Sequence, residues 1–151
     1  MDIINPNAAG IDIDTLIKEA RRLSWRKMAR FRFSRVSLFS AKPLDKFVKK
    51  LIGNIKIKDM RLPFAAMVTD LMNGSSEILC DHDLLVSKVI QASCSFPGIF
   101  PPTEINGRYY IDGIATANIP TRAAKHLNSD VVIAVDAIPN QVINRMPRHF
   151  I

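Results

Sequence analysis

Residues 130–137 read DVVIAVDA. A near-continuous Val/Ile run has no polar face, so a strand built from it must be covered on both sides. That requirement points to the middle of a largely parallel sheet flanked by helices. The chain around the run supplies what such a sheet needs. LPFAAMVTD (62–70) reads as a second buried strand, NGSS (73–76) as turn chemistry, and EILC (77–80) as the strand that pairs back onto it. TEINGRYYID (103–112) carries Asn106-Gly107 between two short extended pieces, the strongest local signal for a hairpin. Strands alternating with helical segments predict an α/β fold with a mixed, mainly parallel central sheet.

The helical segments are marked by their ends. Asp12 or Asp14 can cap a helix with Ile13, Leu16, Ile17, Ala20 and Leu23 on one stripe and Arg21 and Arg22 near its C-terminus. A second helix begins after Ser40, with Pro43 in its first turn, Gly53 at its end and Leu44, Phe47, Val48 and Leu51 as its apolar face. HDLLVSKVIQAS (82–93) reads as a third, and Ile119 to His126 as a fourth, with Asn128 suited to the left-handed position that follows. SFPGIFPP (95–102) cannot be helical, because Pro97, Gly98, Pro101 and Pro102 break it.

The 151 residues are enough for one domain with a core, and 48% hydrophobic with 23% charged residues is ordinary for a globular protein. No apolar run approaches the roughly 20 residues needed to cross a bilayer, and the N-terminal stretch lacks the pattern of a secretory signal. Cys80 and Cys94 are too few for a disulfide framework and read as buried thiols in a reducing compartment. A cytoplasmic location is the expectation.

The net charge of +7 is unevenly placed: residues 1–61 carry 15 Lys/Arg against 6 Asp/Glu, while the remainder carries 6 against 8. Seven of those cations fall in residues 21–35, interleaved with Trp25, Phe31 and Phe33. Three readings are open: a solvated helix with its rings packed inward, a segment at an anionic membrane surface, and a nucleic-acid surface. No nucleic-acid motif accompanies the segment, so a nucleic-acid partner is not expected.

The chemistry is narrowed by what the sequence lacks. His82, His126 and His149 are far apart without metal-ligand spacing, and CDHD (80–83) reads as a turn and helix N-cap. The sequence contains no phosphate-cradling glycine loop and no GxSxG nucleophile elbow. Ser93 and Ser95 read as capping or loop-packing hydroxyls. Asp112 remains, where a strand gives way to a loop. It is either the Asx-type close of a hairpin or the proton acceptor for a serine hydroxyl, with Gly113 allowing close backbone approach.

Four stretches in order, LPFAAMVTDLMNG (62–74), LLVSKVIQASCSFPGIFPP (84–102), GRYYIDGIATANIP (107–120) and AAKHLNSDVVIAVD (123–136), resemble the patatin-like phospholipases, especially their bacterial branch. The resemblance covers roughly residues 36–137. It implies a three-layer α/β/α fold and a serine acyl hydrolase acting on lipid esters through a Ser–Asp dyad, without metal or cofactor. Asp112-Gly113 matches the family's DG[GA] motif, which makes Asp112 the implied base. Ile114 departs from the motif, where the family has Gly or Ala. The glycine-rich oxyanion loop and the elbow that precede the matched part in the family are not in this sequence. By resemblance, residues 1–151 are one partial domain, the C-terminal two-thirds: a basic helical part (1–61), a motif-bearing part (62–137) and a tail (138–151). Without its serine the chain is expected to be inactive alone, leaving a lipid- or protein-binding module as the alternative.

Overall fold

Helix α1 (Ile13–Arg21) starts where Asp12 accepts a hydrogen bond from the Thr15 amide at 3.2 Å. That bond satisfies one of the donors a helix start leaves open. The expected apolar stripe does not enter the core. Ile13 and Ile17 are 48% and 43% exposed, and α1 is tied to the body by the Glu19–Lys50 ion pair (3.1 Å). The computed structural model describes residues 9–22, 30–31, 37–117 and 119–136. Most of the basic segment 21–35 therefore lies outside the described residues. Within it, β1 (Arg30–Phe31) pairs antiparallel with β2 (Phe39–Ser40).

Helix α2 (Lys42–Ile52) follows, with Pro43 in its first turn. It stops at Gly53, which holds φ 72° and donates its N–H to the Lys49 carbonyl at 2.8 Å. Val48 is buried, with Leu44 and Phe47 packed against the core beside it. The core-bearing sheet is built from β3 (Ala66–Asp70), β4 (Ser76–Leu79), β5 (Thr103–Ile105) and β6 (Arg108–Asp112), in the order β4-β3-β6-β5. All three pairings are antiparallel. Every residue of β3 is buried, as befits a strand bonded on both sides and covered on both faces. Helix α3 (Val86–Ser93) lies against the sheet and brings Val86, Val89, Ile90 and Ala92 to Ala66, Val68, Ile105 and Tyr110. Helix α4 (Thr121–His126) ends near Asn128, which takes the expected left-handed conformation (φ 58°).

The architecture is α/β, with both hairpins where the turn chemistry put them. The β5–β6 connection has positive φ at both central residues, 51° at Asn106 and 78° at Gly107. That is the turn whose twist matches its flanking strands. At the β3–β4 turn, Asp70 is almost fully buried, and its carboxylate accepts the Met72 amide at 2.7 Å. Its other oxygen meets Arg108, which also grips Glu77 with both guanidinium arms. The Met72 amide is the main influence holding the Asp70 carboxyl below the usual range, with Arg108 adding to it and burial opposing it.

Several expectations are corrected. The mainly parallel sheet is not what the described strands form, and residues 130–136 belong to no strand. Val131, Ile133 and Val135 are 78%, 78% and 68% exposed. A strand apolar on both faces needs bonded neighbours and cover on both sides, and the described residues offer this run neither. The helix expected from His82 begins only at Val86. Backbone groups of 82–86 are spent instead on a neighbouring segment: the Ile57 and Lys58 amides donate to the Leu84 and His82 carbonyls, and the Val86 amide donates to the Ile55 carbonyl. CDHD is thus a turn, closed by the Asp83 amide on the Asp81 carboxylate (3.0 Å), and not a helix cap. Finally, Cys80 is half-buried and Cys94 is exposed. Cys94 follows the last residue of α3 and lies between the buried Ser93 and Ser95.

Gly107 has open space around its missing side chain, so its replacement tests the backbone alone. Gly107→Ala is expected to lower unfolding free energy by about 1 kcal/mol, measured by denaturant titration, with no change in the far-ultraviolet circular dichroism of the folded state.

Candidate functional site

Asp112 is the last residue of β6, directly opposite Val68 of β3. Opposite residues of an antiparallel pair share a face, so the aspartate stands on the same face as a fully buried core valine. Its amide donates to the Ser95 carbonyl at 3.0 Å, just beyond the C-terminal end of α3. The Pro/Gly block that breaks α3 thereby brings its first residues under the end of β6. Ser95 is buried, donates to the Gln91 carbonyl at 2.8 Å and shares a hydrogen bond with Thr103 at 2.9 Å. Its hydroxyl packs the loop, as the sequence suggested. The rest of the block is laid along β2 by the Leu38 and Phe39 amides, which donate to the Gly98 and Ile99 carbonyls.

The Asp112 carboxylate is half-buried. Oδ1 accepts the Ile114 amide at 2.9 Å, so the aspartate caps the single 3₁₀ turn Gly113–Ala115. Among the described residues Oδ2 has no hydrogen-bond partner, which leaves an open acceptor. Burial raises the carboxyl above its ordinary value, and the Ile114 amide opposes that rise. Turn-closing is therefore shown geometrically, and it uses only one of the two oxygens. A second, partly desolvated oxygen with a raised proton affinity can accept a proton from a hydroxyl placed beside it.

Gly113 is held where no other residue fits. A Cβ there would lie 2.6 Å from the Met67 carbonyl oxygen and 2.8 Å from the Met67 carbonyl carbon. These are backbone atoms of the central strand and cannot swing aside. The requirement is closeness alone, since the Gly113 backbone is not in the left-handed region. Ile114, beside it, is 37% exposed. That exposure leaves room for a branched residue at the position.

Two residues not singled out from the sequence complete the arrangement. Thr69 donates its hydroxyl to the Asp112 carbonyl at 3.2 Å and shares a hydrogen bond with the Thr116 hydroxyl at 2.9 Å. Thr116 also reaches the Gly113 carbonyl at 3.4 Å. The Asp112-Gly113 peptides are thus held by a pair of hydroxyls, one from β3 (Thr69) and one from the end of the turn itself (Thr116). No local signal marks these threonines; only the strand register brings them together. Among the described residues no serine hydroxyl is hydrogen-bonded to the Asp112 carboxylate, and no helix is long and apolar enough to cross a membrane.

The chain matches the model of the patatin-like phospholipase family over residues 6–125. It is 29% identical over 159 residues to an uncharacterized NTE family protein of Mycobacterium tuberculosis, covering 94% of this chain and 43% of the relative. Identity to patatin-like phospholipase domain-containing protein 7 of Mus musculus is 28% over 102 residues, 66% of this chain and 7% of that protein. A lysophospholipase of Candida glabrata is 26% identical over 136 residues, 88% of this chain and 8% of that enzyme. The chain thus spans less than half the length of the curated relatives it matches.

Gly113→Ala forces the turn away from β3 and is expected to cost at least about 2–3 kcal/mol, in the range of core overpacking, read as a lower thermal midpoint. Asp112→Asn is expected to behave in the opposite way. Because the folded-state carboxyl lies above its ordinary value of 3.8, its ionised form subtracts from stability above the folded pKa. That cost disappears as pH falls below the unfolded pKa. Asparagine keeps the acceptor for Ile114 without the charge. The variant should match or exceed the parent in stability at pH 7, with the gap closing toward acid pH. A clear loss at pH 7 would mean that the turn needs the charge.

Proposed function

The chain belongs to the patatin-like phospholipase family, and on that premise we propose that it is the base-bearing part of a serine acyl hydrolase, with Asp112 as the general base. The observation that carries the reading is the Asp112 carboxylate itself: half-buried, raised by desolvation, and bonded through one oxygen only. The open oxygen accepts the serine proton as the hydroxyl attacks an ester carbonyl. Partial burial keeps the resulting charge relationships strong. Thr69 and Thr116 hold the peptides on either side of Gly113, so the carboxylate does not have to be ordered when substrate arrives.

The substrate class follows the relatives: an ester of a long acyl chain, of the lysophospholipid kind. The nucleophile is a serine on a GxSxG elbow that is not among these 151 residues. Residues 21–35, rich in cations and aromatics, are the segment through which the protein would lie against an anionic lipid surface. The absence of an elbow from the sequence also supports a second reading, a lipid- or protein-binding module that carries out no hydrolysis.

Fluorophosphonate labelling separates these. The 151-residue chain should not label. A form that includes an elbow should label and hydrolyse lysophosphatidylcholine, and Asp112→Asn in that form should lower kcat by about 10²–10⁴ with little change in KM. Full kcat in the Asp112→Asn form would remove Asp112 from the mechanism. Labelling of a serine within the present chain, lost in Asp112→Asn, would show that the nucleophile was here all along.

A further inference from the structure

A cavity of about 460 Å³ opens at the end of the sheet where β3 begins and β4 ends, and neither Asp112, Gly113 nor Ile114 lines it. Its volume is that of a small-molecule site. The deep walls are apolar: Ile57 and Phe64 are buried, and Leu127 closes the side next to α4. Among its ten described lining residues, Lys58 and Arg61 are cationic and none is Asp or Glu.

The walls are fixed before any ligand arrives. The segment 55–58 and the segment 82–86 are laced together by three backbone hydrogen bonds, from Ile57 to Leu84, Lys58 to His82 and Val86 to Ile55. Lys56 and Lys58 are further pinned by Asp83, at 3.0 and 2.9 Å. Asp83 neutralises much of the charge of Lys58 and lies outside the lining. Arg61 is different: among the described residues it has no ion pair, and its guanidinium rests against Gly10, which has no side chain to displace it. An apolar hollow with an unpaired guanidinium at its mouth is complementary to a molecule with one hydrocarbon tail and one planar anion, since the arginine fork matches a carboxylate with two parallel hydrogen bonds.

We propose that this cavity is a binding site for a free long-chain carboxylate, the tail among Ile57, Phe64 and Leu127 and the carboxylate on Arg61. The site is separate from Asp112 and does not depend on hydrolysis. The molecule supplies its own reporter pair. Cys80 lines the cavity, whereas Cys94 is exposed and lies outside it.

The test measures alkylation of each cysteine by iodoacetamide, resolved by peptide mass spectrometry, with decanoate below its micelle threshold. At about ten times its Kd, decanoate should slow Cys80 about tenfold by occupancy and leave Cys94 unchanged. Arg61→Gln, at an exposed position, should weaken protection about tenfold, the loss of a charge-assisted pair. Leu62→Asp, which sets an acid in the wall, should abolish it. Asp112→Asn should protect as the parent does. The proposal falls if decanol or decyltrimethylammonium protects as well as decanoate, since no anion is then being read. It also falls if acetate or inorganic phosphate suffices, if both cysteines slow together, or if Arg61→Gln changes nothing. Loss of protection in Asp112→Asn would merge the cavity with the Asp112 site and overturn its independence, whereas failure of Asp112 as a base would leave this binding intact.

Discussion

The approach of Gly113 to the Met67 carbonyl is the constraint on which the rest of the site depends. It lets the chain leaving β6 fold directly over the central strand, with no side chain between the two backbones. Once there, the turn can be bonded from β3 by Thr69, through the Asp112 carbonyl and the Thr116 hydroxyl, and the face of β3 opposite α3 is covered. The Asp112 carboxylate, one residue earlier, is then left at the margin of the core. It is withdrawn from water enough to raise its proton affinity and is still reachable. A larger residue at 113 would do more than crowd a loop, because it would lift the turn that sets the carboxylate's surroundings.

Capping and proton acceptance are not competing descriptions of Asp112. A carboxylate has two oxygens, and the Ile114 amide occupies one. The bond fixes the rotation of the side chain, so the second oxygen keeps a constant direction. An aspartate that merely closed a turn would be served equally well in full solvent, where its charge costs nothing. This one is held where the charge is penalised, and the proposed role as a base draws on that feature.

Local chemistry was the readable part of the sequence. Asn106-Gly107, the helix stop at Gly53, the Asp12 cap and the left-handed Asn128 each followed from one or two residues whose backbone preferences are strong. Asp112 could be singled out for the same reason, because DG at the end of a Tyr-Tyr-Ile strand is an abrupt change of character. What could not be read depended on partners distant in the chain. The threonine pair exists only because β3 and β6 run in one register. The late start of α3 reflects hydrogen bonds to residues 55–58, which no pattern within 82–93 announces. The Val/Ile run 131–135 failed as a strand for the same reason in reverse: its composition describes the neighbours it needs, and the described residues do not provide them. Likewise the apolar stripe of α1 marked a helix correctly while giving no information on whether anything would cover it.

Strand β6 is gripped at one end and carries the proposed base at the other. Arg108, its first residue, is clasped by Asp70 of the adjacent strand β3 and Glu77 of β4 beyond it, with Tyr110 stacked beneath the guanidinium and its hydroxyl on Glu77. Side chains along a strand alternate in direction, so sliding β6 by a single residue would turn Asp112 through to the opposite side of the sheet. The arginine therefore acts as a detent. It contacts nothing at the candidate site, yet it decides which way the aspartate faces, and the two-residue turn before it decides that the arginine arrives in the right notch.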